Sequence, residues 1–404
     1  MNERGSNHQL LKQNNHNLIK KYIYRHSPIS RVEIAQQLGL TTATITGMVN
    51  PMISSGLLRE TVAAAETVKG AGRPRMMLEF VPEAHYACGV DVGPYQTSFI
   101  LTDLLGNCIS VRHTAQPLGE YSVTLERLAR EIPDFLEESG IPREKLLGVG
   151  ICLPGMIDGS ADKIYDIFHE GWTEHSLSAE LGERLGLKIE VENNVRARAI
   201  SADLFDRIVK AEPFAYFFVS FGIACQMIID GKVLYGQSAA AGEIGHTVVQ
   251  RGGPLCPTCG NRGCLEALTG ERAIVQQCRD IMATSTPTVL KELCSDPRTL
   301  TMDQVLLAQE MGDRAVGHVI EDAIEYLGIA LANTINLISP RAVVLEGRIL
   351  STPKNQERML RTVEQYMFHI HSGMIDVTFL PYDLDRGARA AAAVVVREFL
   401  SRSL

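Results

Sequence analysis

His246, Cys256, Cys259 and Cys264 carry the sharpest chemical signal in the chain. Cys256-Pro-Thr-Cys259 sets two thiolates on one tight turn, and Cys264 with His246 completes a tetrahedral donor set. Three thiols and an imidazole suit a borderline-soft cation, so one structural Zn2+ per chain is expected in a loop spanning about 246–264. Gly260 and Gly263 permit the sharp turns of such a knuckle. Without metal, three clustered thiols would be open to oxidation. The chain has nine cysteines, too few for a disulfide scaffold, and Cys88, Cys108, Cys152, Cys225 and Cys278 lie in apolar or helical segments.

The elements that must hold this loop alternate between strand and helix. FAYFFVSFG (214–222) and CQMIIDGKVL (225–234) read as a hairpin just before it, and a mostly helical stretch, 269–337, leads to the strand AVVLEG. Upstream, ACGVDVG and TSFILTD read as strands. Helix 122–138, strand LLGVGICLPG, helix 176–185, strand LKIEVENN and helix 195–210 follow. The fold class is α/β, in two similar lobes.

Residues 1–75 have another texture. They hold ten Lys and Arg against four Glu, a balance of +6; with the total at −8, the rest of the chain carries −14. A basic arm on an acidic body points to a polyanion at the N-terminal end. Leu18, Ile19, Tyr22 and Ile23 mark a first helix, and Ser30 with Glu33 has capping-box spacing for a second over 31–38. Gly39-Leu40 turns the chain, and Thr41 or Thr42 caps a third helix with the apolar stripe Ile45, Met48, Val49, Met52 and Ile53, which Pro51 should kink or end near Asn50. Two short strands joined by a basic loop make a wing. The layout is a winged helix-turn-helix: Thr41, Thr42, Thr44 and Thr46 face the major groove, Arg31 is a further candidate DNA contact, and Arg73 and Arg75 suit a narrow minor groove.

At 404 residues, with 45% hydrophobic and 21% charged composition, disorder and fibrous classes are excluded. No apolar run approaches the roughly 18 to 20 residues that span a bilayer, and the first residues are polar, so a cytoplasmic protein with no membrane partner is expected.

Gly242-Glu243-Ile244-Gly245-His246 followed by Cys259-Gly-Asn-Arg-Gly-Cys264-Leu-Glu266 resembles the ROK family of repressors, open reading frames and sugar kinases. The resemblance covers nearly the whole chain. It implies a winged helix-turn-helix over 1–82 ahead of a two-lobed, actin-like sugar-kinase fold over 83–404. It makes His246, Cys256, Cys259 and Cys264 the zinc ligands, although two residues, Pro257 and Thr258, separate the first two cysteines where the family usually has one. It also implies an effector pocket of Gly155, Asn193, Asn194, Glu243, His246 and Glu266. Carboxylates and amides offer paired hydrogen bonds to vicinal hydroxyls, and a zinc-bound imidazole has a fixed ring.

The kinase parts depart from the family. The carboxylate base falls on Asn194, an amide that cannot take a proton. The second phosphate loop reads Ser220-Phe221-Gly222-Ile223, with bulk where glycines should cradle phosphate, and the nucleotide-side Gly-Gly reads Glu346-Gly347, a charge where ATP would lie. Asp91-Val92-Gly93 survives of the first phosphate motif, and the specificity segment is an idiosyncratic Phe168-His169-Glu170-Gly171-Trp172. The expectation is therefore a non-enzymatic, sugar-responsive regulator. It would be a repressor acting on palindromic operator DNA as a homodimer or homotetramer, with a sugar or sugar phosphate as effector. A working sugar kinase with an accessory DNA-binding domain, or control by a protein partner, are the alternatives.

Overall fold

Ser30 and Glu33 close a full capping box: the Ser30 hydroxyl accepts from the Glu33 amide, and the Glu33 carboxylate takes the Ser30 amide and hydroxyl. The computed structural model describes residues 8–62, 75–158, 163–166, 171–173, 175–207, 213–369 and 373–402. The chain begins with α1 (His8–His26), β1 (Ile29–Ser30), α2 (Arg31–Leu38), α3 (Thr42–Ser54), β2 (Leu58–Val62) and β3 (Met76–Phe80). Strands β1, β3 and β2 form an antiparallel sheet in that order, and Ile19, Ile23, Ile34, Ile45, Val49, Met52, Leu78 and Phe80 make the core of this winged module. Helix α3 runs through Pro51 to Ser54, contrary to the expected break. Pro51 stands on the exposed side in the last turn, so little of the ladder is lost, while buried Val49 and Met52 hold the helix down on either side.

After the module come β4 (Tyr86–Val92), β5 (Thr97–Asp103), β6 (Cys108–Thr114), α4 (Tyr121–Ser139), β7 (Leu146–Leu153), β8 (Met156–Asp158), β9 (Lys163–Asp166), α5 (Leu177–Leu185), β10 (Ile189–Asn193) and α6 (Asn194–Ser201), which continues into a π-helical turn, Ala202–Asp206. Then follow β11 (Phe214–Val219), β12 (Ile223–Ile229), β13 (Lys232–Val233), α7 (Leu265–Thr269), α8 (Glu271–Met282), α9 (Leu290–Leu293), α10 (Met302–Glu310), α11 (Arg314–Ile338), β14 (Ala342–Gly347), α12 (Pro353–Tyr366), β15 (Asp376–Leu380) and α13 (Arg386–Ser401).

The chain divides into two compact units. The first holds residues 1–153, 174–197 and 385–404; the second holds 154–173 and 198–384. In the first, the sheet order is β10-β7-β4-β5-β6, parallel across β10, β7 and β4 and antiparallel beyond. Helix α13 lies against it so closely that a Cβ on Gly89 or Gly150 would sit 1.9 or 2.0 Å from the carbonyl oxygens of Ala388 and Ala391. The Ala-rich face of α13 and these two glycines are one packing solution. The winged module is tied to this unit by side chains of α1. Lys20 is fully buried and its Nζ donates to Phe399 O at 2.6 Å and Arg402 O at 2.5 Å; Asn17 Nδ2 donates to Ser401 O, and the Tyr24 hydroxyl to Leu104 O, each at 2.7 Å. Cys88 and Cys152 are buried here, but Cys108 is exposed on edge strand β6 rather than set in an apolar segment.

In the second unit the order is β13-β12-β11-β14-β15, with β11, β14 and β15 parallel and β12 antiparallel to β11. Phe217, Val219, Val343 and Leu345 pack into a core with Ile274, Cys278, Ile320, Ile324 and Leu327 from α8 and α11. Among the described residues no helix is long and apolar enough to cross a membrane.

Candidate functional site

The loop between β13 and α7 folds over β12 because its glycines let backbone meet backbone. Gly242 has φ +93°, and a Cβ there would lie 2.5 Å from Cys225 O; one on Gly245 would lie 2.5 Å from Ile223 O. The segment between them presents Glu243, and His246 ends a single 3-10 turn. The loop is then closed by bridges between Val248 and Cys264 and between Leu255 and Arg262.

His246, Cys256, Cys259 and Cys264 meet, as their spacing requires, with all four ligand atoms within 4.8 Å of one another. Cys256 Sγ is 3.8 Å from His246 Nδ1 and Cys259 Sγ is 3.5 Å from Cys264 Sγ. With metal–sulfur bonds of about 2.3 Å, a tetrahedron has edges of about 3.7 Å, so the group could hold a metal ion. Burial, then the neighbouring Cys259 and Cys256 thiols, push the Cys264 thiol up to about 12. Such a cluster cannot carry its full thiolate charge unless a cation offsets it.

Glu266 enters the same locality from the first turn of α7. Its Oε1 accepts from the Thr258 hydroxyl at 2.7 Å. Glu243, His246 and Glu266, expected to act together, are thus all set around one loop of the second unit, as is Gly222, whose Cβ would lie 3.5 Å from Glu266 Oε2. Gly155, also in the second unit, has φ +110°, open only to glycine.

Asn193 and Asn194 belong to the first unit. Asn193 caps α6: its Oδ1 accepts from the Val195 amide at 2.9 Å and the Arg196 amide at 3.0 Å. Asn194, the first helical residue, is half-buried. Beside them Glu192 Oε1 accepts from Arg196 Nε at 2.8 Å, a buried ion pair that the sequence did not flag.

The Glu346 carboxylate is fully buried, accepts from the Tyr216 hydroxyl and lies 3.4 Å from Arg198 Nη1, whose guanidinium sits over the Phe218 ring. The expectation that it faces a nucleotide is corrected. Its charge is matched inside the protein, on the face of β14 opposite Val343 and Leu345.

In the winged module, Thr41 is the N-cap of α3, its Oγ1 accepting from the Thr44 amide at 3.1 Å. Thr41 and Thr42 are exposed and Thr44 and Thr46 half-buried. Ala43, Gly47 and Asn50 share the exposed side, a set missed because two of them carry no polar group. Arg31 forms an ion pair with Glu60 of β2 and lies 3.4 Å from Asn50 Oδ1. Arg75 is exposed at the start of β3; Arg73 and residues 168–170 lie outside the described residues.

The sequence profile described as ROK family matches residues 87–398. The chain is 28% identical over 392 residues to the xylose repressor of Bacillus spizizenii, covering 96% of this chain and 97% of that protein. It is 28% identical over 349 residues to the DNA-binding transcriptional dual regulator NagC of Escherichia coli K12, covering 86% and 84%. A solved ROK family transcriptional regulator, a homologue of the E. coli MLC protein, superposes with a TM-score of 0.83 at 23% identity over 97% of both chains, a likeness of fold.

Proposed function

Because the chain belongs to the ROK family, we propose that it is a sugar-responsive transcriptional regulator, a repressor whose winged module binds operator DNA and whose kinase-like part binds a sugar or sugar phosphate without phosphorylating it. One observation above the others supports this reading: a module with an exposed, threonine-lined third helix accompanies a kinase-like body in which the base position is the amide of Asn194. Glu243, His246 and Glu266 are the principal effector contacts, with Gly155, Asn193 and Asn194 assigned on family grounds. Asn193 also caps α6 through its side-chain oxygen.

Zn2+ is the metal proposed for His246, Cys256, Cys259 and Cys264, one per chain. It would hold the loop that carries Thr258 and fix the His246 ring. Arg31, Thr41, Thr42, Thr44 and Thr46 with Arg73 and Arg75 are the proposed operator contacts, Arg31 being also ion-paired to Glu60 of β2. A single winged helix covers few base pairs, so a homodimer or homotetramer on a palindromic site is proposed, acting in the cytoplasm. D-xylose and N-acetylglucosamine are the first effectors to test, after the names of similar proteins.

Operator DNA selected in vitro, titrated with protein in the presence and absence of each sugar, tests the reading. Glu243→Ala should bind the operator as wild type does and lose its response to sugar. Loss of operator binding in a folded Glu243→Ala protein would remove the sensor role. The retained Asp91-Val92-Gly93 favours a second reading, a working kinase, which a coupled assay with ATP and a sugar panel would reveal as turnover.

A further inference from the structure

Thr258, one of the two residues between Cys256 and Cys259, brings a hydroxyl to Glu266. Thr258 Oγ1 donates to Glu266 Oε1 at 2.7 Å, and among the described residues Oε2 takes no hydrogen bond. Three glycines flank the same side chain. A Cβ on Gly245 would lie 3.4 Å from Glu266 Cβ, one on Gly270 3.4 Å from its Cγ and 2.9 Å from its carbonyl oxygen, and one on Gly222 3.5 Å from Oε2. Glu266 is therefore walled by backbone along its length and held at one oxygen by a single donor. Thr258 itself has little freedom. Its neighbour Cys259 and the nearby Cys256 belong to the four-residue donor cluster, and the turn is shut by Gly260 N donating to Cys256 O at 3.0 Å and Cys256 N to Asn261 O at 2.7 Å.

We propose that Thr258 is a positioning residue for the effector: it pins Oε1 so that Oε2 is aimed at a ligand hydroxyl, and the ligand group received there is a proton donor. The proposal rests on the reading of Glu266 as an effector contact. The single Thr258 hydroxyl proton is directed at Oε1, and an ionised carboxylate has no proton of its own, so Oε2 is left to accept. A ligand hydroxyl satisfies Oε2; a phosphate or carboxylate group there brings like charge and no proton. If the effector is a sugar phosphate, its phosphate is bound away from Glu266, and this oxygen meets an unmodified ring hydroxyl. The device also carries the metal's effect to the ligand, since the cluster that folds the turn fixes the one donor that orients Glu266.

The test uses full-length, zinc-loaded protein and two variants, Thr258→Val, which keeps the shape and loses the proton, and Thr258→Ser, which keeps the proton. Crystal structures need no ligand: Glu266 should leave its position in the Val variant and retain it in the Ser variant. Calorimetric titration with D-xylose, D-glucose and N-acetylglucosamine should show, for whichever binds wild type, equal affinity in the Ser variant and about tenfold weaker binding in the Val variant, as expected for one hydrogen bond to a charged group. Zinc content and operator binding should be the same in all three. Wild-type affinity in the Val variant, or an unmoved Glu266, overturns the proposal while the effector reading stands. If no sugar binds even wild type, the effector reading fails and takes the proposal with it, a result distinguishable because the structures decide the Glu266 position separately.

Discussion

Tyr216 on β11 donates its hydroxyl proton to Glu346 on the adjacent strand β14, and both side chains are closed to solvent. Arg198, 3.4 Å from the other carboxylate oxygen, makes this a buried ionic cluster of the second unit. Deleting the carboxylate weakens the compensation of a buried guanidinium, at a cost of about 3 kcal/mol. Glu346→Gly, which restores the kinase-like Gly-Gly, is therefore expected to lower the melting temperature. Asn194→Asp, alone or combined with it, is expected to show no sugar-dependent ATP turnover, because Phe221 still occupies the phosphate loop. A coupled spectrophotometric assay against heat-treated protein checks this, and turnover in any of these proteins contradicts it.

One zinc ion per chain should be found by elemental analysis of protein purified without chelator. A strong chelator is expected to lower the melting temperature by on the order of 5 °C or more and to abolish any sugar response. Cys259 is exposed while Cys256 and Cys264 are buried, so Cys259→Ser should be the mildest of the three serine variants in stability yet still lose metal.

Arg75 stands exposed where the wing meets β3. Arg75→Ala should weaken operator binding by about 1–3 kcal/mol and reduce the slope of log affinity against log salt by about one, the signature of one lost phosphate contact. Anisotropy titrations at several salt concentrations measure both quantities. An unchanged slope would place Arg75 off the DNA.

Burial first, and Lys21 second, bring the Lys20 ammonium down to about 8 from its ordinary 10.5. A lowered folded-state value means that the fold disfavours the charged form. Below about pH 8 the native state bears that cost, and it is relieved as pH rises toward 10.5, where the unfolded chain also gives up its proton. Wild type should therefore gain stability relative to Lys20→Met between pH 8 and 10.5. Denaturation of both proteins at pH 7.5, 9 and 10 gives the difference; a constant difference would show that Lys20 does not titrate in this window.

What could be read from the sequence was local. The Ser30–Glu33 box, the Thr41 cap and the donor cluster are fixed by spacings of a few residues or one loop, and each appears in the structure as its spacing requires. The errors came from partners far apart along the chain. Glu346 at the end of an apolar run looked nucleotide-facing, because Arg198 lies 148 positions away and a strand buried on both faces shows no alternation to reveal it. The ion pair of Arg31 with Glu60 likewise joins residues 29 positions apart. The run AAAAVVV in α13 said little, since its meaning lies in the glycines of β4 and β7 against which it packs.

Lys20 and Asn17 make α1 and α13 one inheritance. A chimaera that joins a foreign DNA reader to this body at residue 82 would strip the final carbonyls of α13 of their donors and leave the new first helix facing a surface shaped for another. Exchange of operator preference should succeed when α3 and the wing are transplanted and α1 is kept, or when the opening and closing helices travel together. Across related regulators, the two ends of the polypeptide are accordingly expected to change in step, though nearly four hundred residues separate them in the gene.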